Sequence, residues 1–343
     1  MKKVHCIGLF LLLFCFCCRW FTPVADFYAT RLYPGIMTAL SFAASIVPFS
    51  LEEMVVLGFA GAFLLVLAGT LLKKKSFFRW LGKSALVVMW LAVWFYLGWG
   101  CNYFRTPLLP RLGIQKQLFL EDTFNQFLYS YTDSLNKEYA PQREPFDRDS
   151  LEADIRSFYQ KTLPESGYAK LRAWQHPKRP LLNQLYSAVG VTGFMGPFFC
   201  EVHVNRDVLE TDWPFTLAHE MAHLSGVTSE AEANYWAYVY CTRSQDDRLR
   251  YSGYYSILPH VITSVRSYMT EEYFRYWIRT INLDIREEYA AEGKYWEEKR
   301  IGWIDRIQSW LMDTNLKQNG VSSGAREYNE VVSLIITMEA SGR

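Results

Sequence analysis

Asp212-Trp213-Pro214-Phe215-Thr216-Leu217-Ala218-His219-Glu220-Met221-Ala222-His223-Leu224-Ser225-Gly226 is the stretch from which the rest of this 343-residue chain is read. An acidic residue and a proline suited to a first turn open it, and a glycine closes it. Together they predict a helix over 214–226. At about 100° per residue, Leu217, Met221 and Leu224 fall opposite His219 and His223. Phe215 and Ala222 flank the histidines, so that face is expected to be buried too. Two imidazoles one turn apart, with a carboxylate between them, offer two nitrogens to one Zn²⁺ and keep Glu220 beside the metal as a general base. Two histidines and a glutamate in a buried helix are costly unless something satisfies them, and a metal does. The plainer alternative is a pair of satisfied core histidines.

A zinc site needs a third protein ligand. Ser229-Glu230-Ala231-Glu232-Ala233-Asn234 reads as the start of a second helix, with Ser229 and Glu232 as the two arms of a capping box. That leaves Glu230 as the free carboxylate. Glu230, Ala233, Asn234, Ala237 and Cys241 share one face, and the small residues let this helix approach the first. Asn234 is placed to hold a ligating imidazole by its second nitrogen. The expected set is His219, His223 and Glu230 on the metal, Glu220 as base and Asn234 behind. Two alternatives stay open: Glu232 as the ligand with Glu230 solvated, and Asn234 as a surface amide.

The His-Glu-x-x-His pattern followed by Glu-x-Glu-Ala-Asn resembles the gluzincin branch of the zincin metallopeptidases. Over nearly the whole chain the sequence is similar to an uncharacterised bacterial family of membrane-anchored proteins, domain-of-unknown-function family 3810. The similarity is carried by Trp99-Gly100-Cys101-Asn102-Tyr103-Phe104-Arg105, by Glu201-Val202-His203-Val204-Asn205, by His219 to Asn234, by Tyr251-Ser252-Gly253-Tyr254 and by Tyr328-Asn329-Glu330-Val331-Val332. By position, the resemblance implies ligands His219, His223 and Glu230 and the base Glu220. Many gluzincins have aspartate where this chain has Asn234, and a neutral amide polarises a histidine less.

Half of the residues are hydrophobic and the net charge is +1, with no basic tract suited to nucleic acid. The apolar content is concentrated in Val4 to Cys18, Met54 to Leu72 and Ala85 to Gly98. These runs predict three membrane helices, at about 4–20, 54–72 and 85–101, for a bilayer core that needs roughly 20 residues. The first reads as an uncleaved anchor, with a cleaved signal peptide as the alternative. Lys73, Lys74, Lys75, Arg79 and Lys83 crowd the second connection, which places it and the amino terminus in the cytoplasm. Everything after Asn102 is then outside. The segment from Phe27 to Phe49 is expected along the outer surface. Cys200 and Cys241 belong to the outer part, and their pairing is left open.

The expected fold is mainly α: N-terminal transmembrane helices over 1–103, then a helix-rich, zincin-like α+β domain with a small sheet over 104–343. Helices are predicted around 116–138, 148–162, 214–226, 229–245, 254–268, 271–312 and 324–340. From Phe198 to Asn205 the chain alternates, with Glu201, His203 and Asn205 on one face. That strand is expected to pair with extended substrate, or else to be a solvated edge. His203 as a fourth ligand is disfavoured because it would close the open position. Tyr251 and Tyr254 are candidates for stabilising an oxyanion, with aromatic packing as the plainer use. His176 and His260 receive no role.

The sequence thus predicts a membrane-anchored zinc metallopeptidase of the bacterial cytoplasmic membrane. Its partners are the lipid bilayer and a peptide or protein substrate, including cell-envelope peptides. The alternatives are a non-catalytic, zinc-stabilised envelope protein that binds a partner, and a zinc hydrolase of a non-peptide amide.

Overall fold

Long apolar and amphipathic runs make most of the chain helical, and among the described residues one short two-stranded sheet interrupts them. The computed structural model describes residues 2–73, 77–117, 120–141, 144–318 and 325–342. Helix α1 covers Lys2–Trp20. The chain then bends by 113° into a helical stretch that ends in α2, Tyr33–Ser45. Helix α3, Leu51–Lys73, leads away from the body of the protein and α4, Phe77–Gly98, leads back. Lys74, Lys75 and Ser76, in the predicted cytoplasmic connection, lie outside the described residues.

By length and composition the spans differ from the three expected. Among the described residues one helix, Leu51–Gly69, is long and apolar enough to cross a membrane, and a second counts only if the bent pair Val4–Trp20 and Thr22–Ser45 is one span. The apolar part of α4, Ser84–Gly98, is too short by itself, because Arg79 and Lys83 dilute its first turns. The segment expected to lie along the outer surface is instead anchored in the body. Tyr28 and Tyr33 are fully buried, and their hydroxyls donate to the carbonyls of Leu97 and Leu224 at 2.8 and 2.7 Å.

Helices α5, Glu121–Lys137, and α6, Arg148–Thr162, follow, the latter capped by Asp147. Strand β1, Gly193–Gly196, pairs antiparallel with β2, Glu201–Val204, in the register Phe194 to His203 and Met195 to Val202. The histidine helix is α7, Trp213–Leu224, and its partner is α8, Glu230–Thr242. Then come α9, Asp247–Ser256, and α10, Leu258–Tyr268. The long helix expected over 271–312 is broken. Thr270 caps Glu271–Trp277, and Asn282 caps α11, Leu283–Lys299, by accepting from Asp284 N. An extended Arg300 separates α11 from α12, Gly302–Gln318. Helix α13, Ala325–Ala340, packs against α8 and α10.

One buried apolar cluster runs from Cys15 through Trp99 to Met338, so the core crosses the boundary expected at residue 103. A group of buried carboxylates ties the same two parts together. Glu201 accepts from Leu51 N and Glu52 N at 3.2 and 2.8 Å and pairs with Lys178. Lys178 also donates to the carbonyls of Ala44 and Phe49. Glu52 accepts from Phe198 N and Phe199 N, and Glu53 accepts from Leu181 N and Leu182 N. The first turn of α3 is therefore clamped to the chain before β1, to the turn between the strands and to β2. Cys200 and Cys241 are both free thiols.

Candidate metal centre

Local sequence sets both ends of α7. Pro214 sits in the first turn, as expected, but Asp212 does not cap the helix with its side chain. Its carboxylate accepts instead from the Ser256 hydroxyl at 3.0 Å. At the other end Gly226 takes φ +94°, a left-handed conformation that favours glycine. Gly226 N donates to His223 O at 2.9 Å and Val227 N to Ala222 O at 3.3 Å, the paired bonds of a glycine-terminated helix. The reversal brings the Val227 carbonyl back under His223, where it lies 2.7 Å from Nδ1. The Trp99 indole donates to the His223 carbonyl at 2.9 Å.

Each histidine is oriented by an acceptor behind it. His219 Nδ1 lies 2.8 Å from Asn234 Oδ1, and His223 Nδ1 faces Val227 O. With both Nδ1 atoms occupied as donors, each ring presents Nε2 to the centre. The two Nε2 atoms lie 2.9 Å apart. Glu230, at the first position of α8, brings Oε2 to 3.2 Å from His219 Nε2 and Oε1 to 3.5 Å from His223 Nε2. One ligand atom from each of the three residues falls within 4.8 Å of the others. Burial would raise the Glu230 pKa, but the charge of His223 and hydrogen bonds to both imidazoles hold it well below the usual carboxylate range. His223 loses basicity by burial and regains more from Glu230, reaching about 9. Two imidazole nitrogens and a carboxylate converge on one point, where a metal ion would take the place of the proton that His223 otherwise holds. This donor set, with its oriented imidazoles, suits Zn²⁺.

Glu220 lies beside this group without being one of its ligands. It is 5% exposed, and its carboxylate makes no hydrogen bond among the described residues. Burial raises its pKa, against the opposing charges of His219 and His223. Its room comes from β1: a Cβ on Gly193 would stand 2.8 Å from Glu220 Cγ and 2.9 Å from Oε1. Glu232 is committed to structure. Ser229 Oγ accepts from Glu232 N at 3.3 Å, one arm of the expected box. The Glu232 carboxylate does not reach back. It accepts from Leu108 N and from the Tyr168 hydroxyl, and Arg111 lies nearby.

The predicted substrate strand is occupied. Glu201 sits in the clamp, and Asn205 exchanges bonds with Ser187 and donates to Val191 O. His203 is fully buried, stacked 4.2 Å from Phe194, with Nε2 2.8 Å from Ser50 Oγ. Burial and the charge of Lys178 lower its pKa to about 3, so it stays neutral. Strand β2 also pairs on its far side with Lys178, whose N donates to Val202 O at 2.7 Å. The strand with an unpaired backbone edge among the described residues is therefore β1. Tyr251 donates to Glu288 at 2.7 Å, and Tyr254 packs between Tyr131 and Tyr238. Their hydroxyl-bearing rings serve the helical packing of α9.

Sequence reasoning missed Trp99, the Val227 carbonyl, Gly193 and His260. For Gly193 the available signal was a glycine at the start of a strand, which marks a close approach of a neighbouring group. The family model described as Protein of unknown function (DUF3810) matches residues 28–336. The chain belongs to that family. The match begins well before residue 103, so in this DUF3810 chain it includes α2 to α4 as well as the histidine centre. No curated protein and no solved structure matches the chain.

Proposed function

We propose that this DUF3810 protein is a membrane-anchored zinc metallopeptidase. The observation that carries the reading is the convergence of His219 Nε2, His223 Nε2 and a Glu230 oxygen, each imidazole held from behind, beside a buried and otherwise uncommitted Glu220. A bound Zn²⁺ supplies Lewis acidity and makes water a nucleophile near neutral pH. Glu220 takes the proton of the attacking water on its carboxylate and returns it to the leaving nitrogen. Its raised pKa suits both halves of that transfer. Asn234 and Val227 hold the imidazoles so that Nε2 faces the centre. The open edge of β1, the strand whose Gly193 abuts Glu220, offers main-chain hydrogen bonds to an extended peptide.

The reading includes three spans, α1, α3 and α4, with the lysine-rich connection inside and the histidine centre outside. Gly8 of α1 abuts Met89 and Trp90, and Arg19 lies over Phe104 at 5.7 Å. Thus α1 and α4 run in the same direction and reach the body with their carboxyl ends, which puts the amino terminus and the basic connection at the same far end. Exposed Ile46 and Leu181 lie on segments beside the base of α3, as suits a face near a bilayer.

The test is metal analysis of the full chain in detergent, joined to hydrolysis of envelope-derived peptides. Stoichiometric zinc, cleavage by the wild type and none by Glu220→Gln are expected. A wild type without zinc would overturn the reading, and zinc without cleavage across a broad panel would favour a partner-binding protein.

A further inference from the structure

His260 stands on α10, and its Nε2 lies 3.5 Å from Asn234 Nδ2. The other end of the same amide, Oδ1, lies 2.8 Å from His219 Nδ1. We infer that His260 is a positioning residue: it selects which end of the Asn234 amide faces His219, and thereby which nitrogen of His219 is left to bind a metal. The inference rests on the metal-centre reading above.

A carboxamide has two ends of nearly equal shape and opposite chemistry. With Oδ1 toward His219, the ring keeps its proton on Nδ1 and directs the Nε2 lone pair at the centre. Turned half over, the amide would present N–H to Nδ1. The ring proton would then move to Nε2 and point at the metal position and at His223 Nε2, 2.9 Å away. His219 could no longer ligate. Asn234 is 9% exposed, so bulk water is poorly placed to sort the two orientations. The group across the amide can. An unprotonated His260 Nε2 accepts from Asn234 Nδ2 in the productive orientation and repels Oδ1 in the other. A carboxylate at position 234 would need no such selection, because both of its oxygens accept. The amide in this chain therefore requires a second acceptor, and α10 supplies it.

The test is the zinc affinity of the full chain, by chelator competition, in two backgrounds. His260→Phe should weaken binding about tenfold, the low end for groups behind a ligand. In the Asn234→Asp background the same substitution should change nothing. A second readout is the ¹⁵N spectrum of labelled histidines in the metal-free chain. His219 should be the Nδ1-protonated tautomer in the wild type and a mixture in His260→Phe. Unchanged affinity and tautomer in His260→Phe would overturn the inference, as would equal losses in both backgrounds, which would mark a purely structural role. If the wild type binds no zinc, the metal-centre reading falls and the tautomer measurement alone decides for or against His260.

Discussion

Two groups of buried carboxylates lie close to the sheet and are treated in opposite ways. Around the first turn of α3, Glu52, Glu53 and Glu201 each accept from two backbone N–H groups, and Glu201 also pairs with Lys178. On α7, Glu220 is just as buried and accepts nothing among the described residues. A buried charge normally persists because it is paired and hydrogen-bonded. The first group meets that rule and holds the chain together. The second departs from it beside a ready-made ligand set, which is where chemistry is expected.

The contrast can be broken most directly at Glu220. Glu220→Gln should keep zinc and fold while hydrolysis falls by about 10²–10⁴-fold. Metal content and turnover on one preparation check this, and full activity would remove Glu220 from the mechanism. At the first group the loss should be in stability. Glu201→Ala strands Lys178 and two N–H groups, and about 3–5 kcal/mol is expected, read from denaturant or thermal unfolding in detergent. A near-silent Glu201→Ala would show the clamp to be incidental.

The pair on α8 sharpens the same distinction within three residues. Glu230→Ala should lose metal with little structural cost. Glu232→Ala should keep metal and cost about 1–3 kcal/mol, since it abandons Leu108 N and the Tyr168 hydroxyl. The reverse pattern in metal analysis would exchange their roles.

The smallest effect belongs to a third arrangement. Burial raises the pKa of both Asp212 and Glu292, and for Asp212 the neighbouring Glu292 adds to it. A carboxyl raised in the folded state contributes stability that is complete below its unfolded pKa and is lost as pH rises through the folded value. Asp212→Asn should therefore raise the melting temperature at pH 8 more than at pH 5, by about 2–4 °C for each kcal/mol relieved. A flat or opposite pH dependence would show that Asp212 is not the group whose raised pKa costs stability at high pH.

Local signals made the histidine helix legible. Pro214, Gly226 and Ser229 mark their ends in the sequence because each acts within a few residues of itself. The choice of Glu230 over Glu232 as the uncommitted carboxylate followed from a two-armed capping box; the structure keeps the Ser229 arm but occupies the Glu232 carboxylate with Leu108 and Tyr168 instead of the cap. The clamp was not legible. Glu52 and Glu53 meet partners more than a hundred residues away, and in the sequence they register only as acids at a helix start, which the helix dipole favours anyway. The strand was found but its neighbours were not, since alternation shows two faces and says nothing of which edge is covered. The break at Asn282 was missed because no proline or glycine marks it, and the cap that makes the break is a single side chain.

The carbonyls that end α7 are held by Tyr33 and Trp99, residues from the first third of the chain. A fragment begun after residue 103, the natural choice for making a soluble domain, would lose both donors and one wall of the core. On the ribosome the sequence of events runs the other way. The amino-terminal helices are made first, and the histidine helix emerges later to meet donors already synthesised. A metal centre built so would remain unfinished until those helices had folded against it.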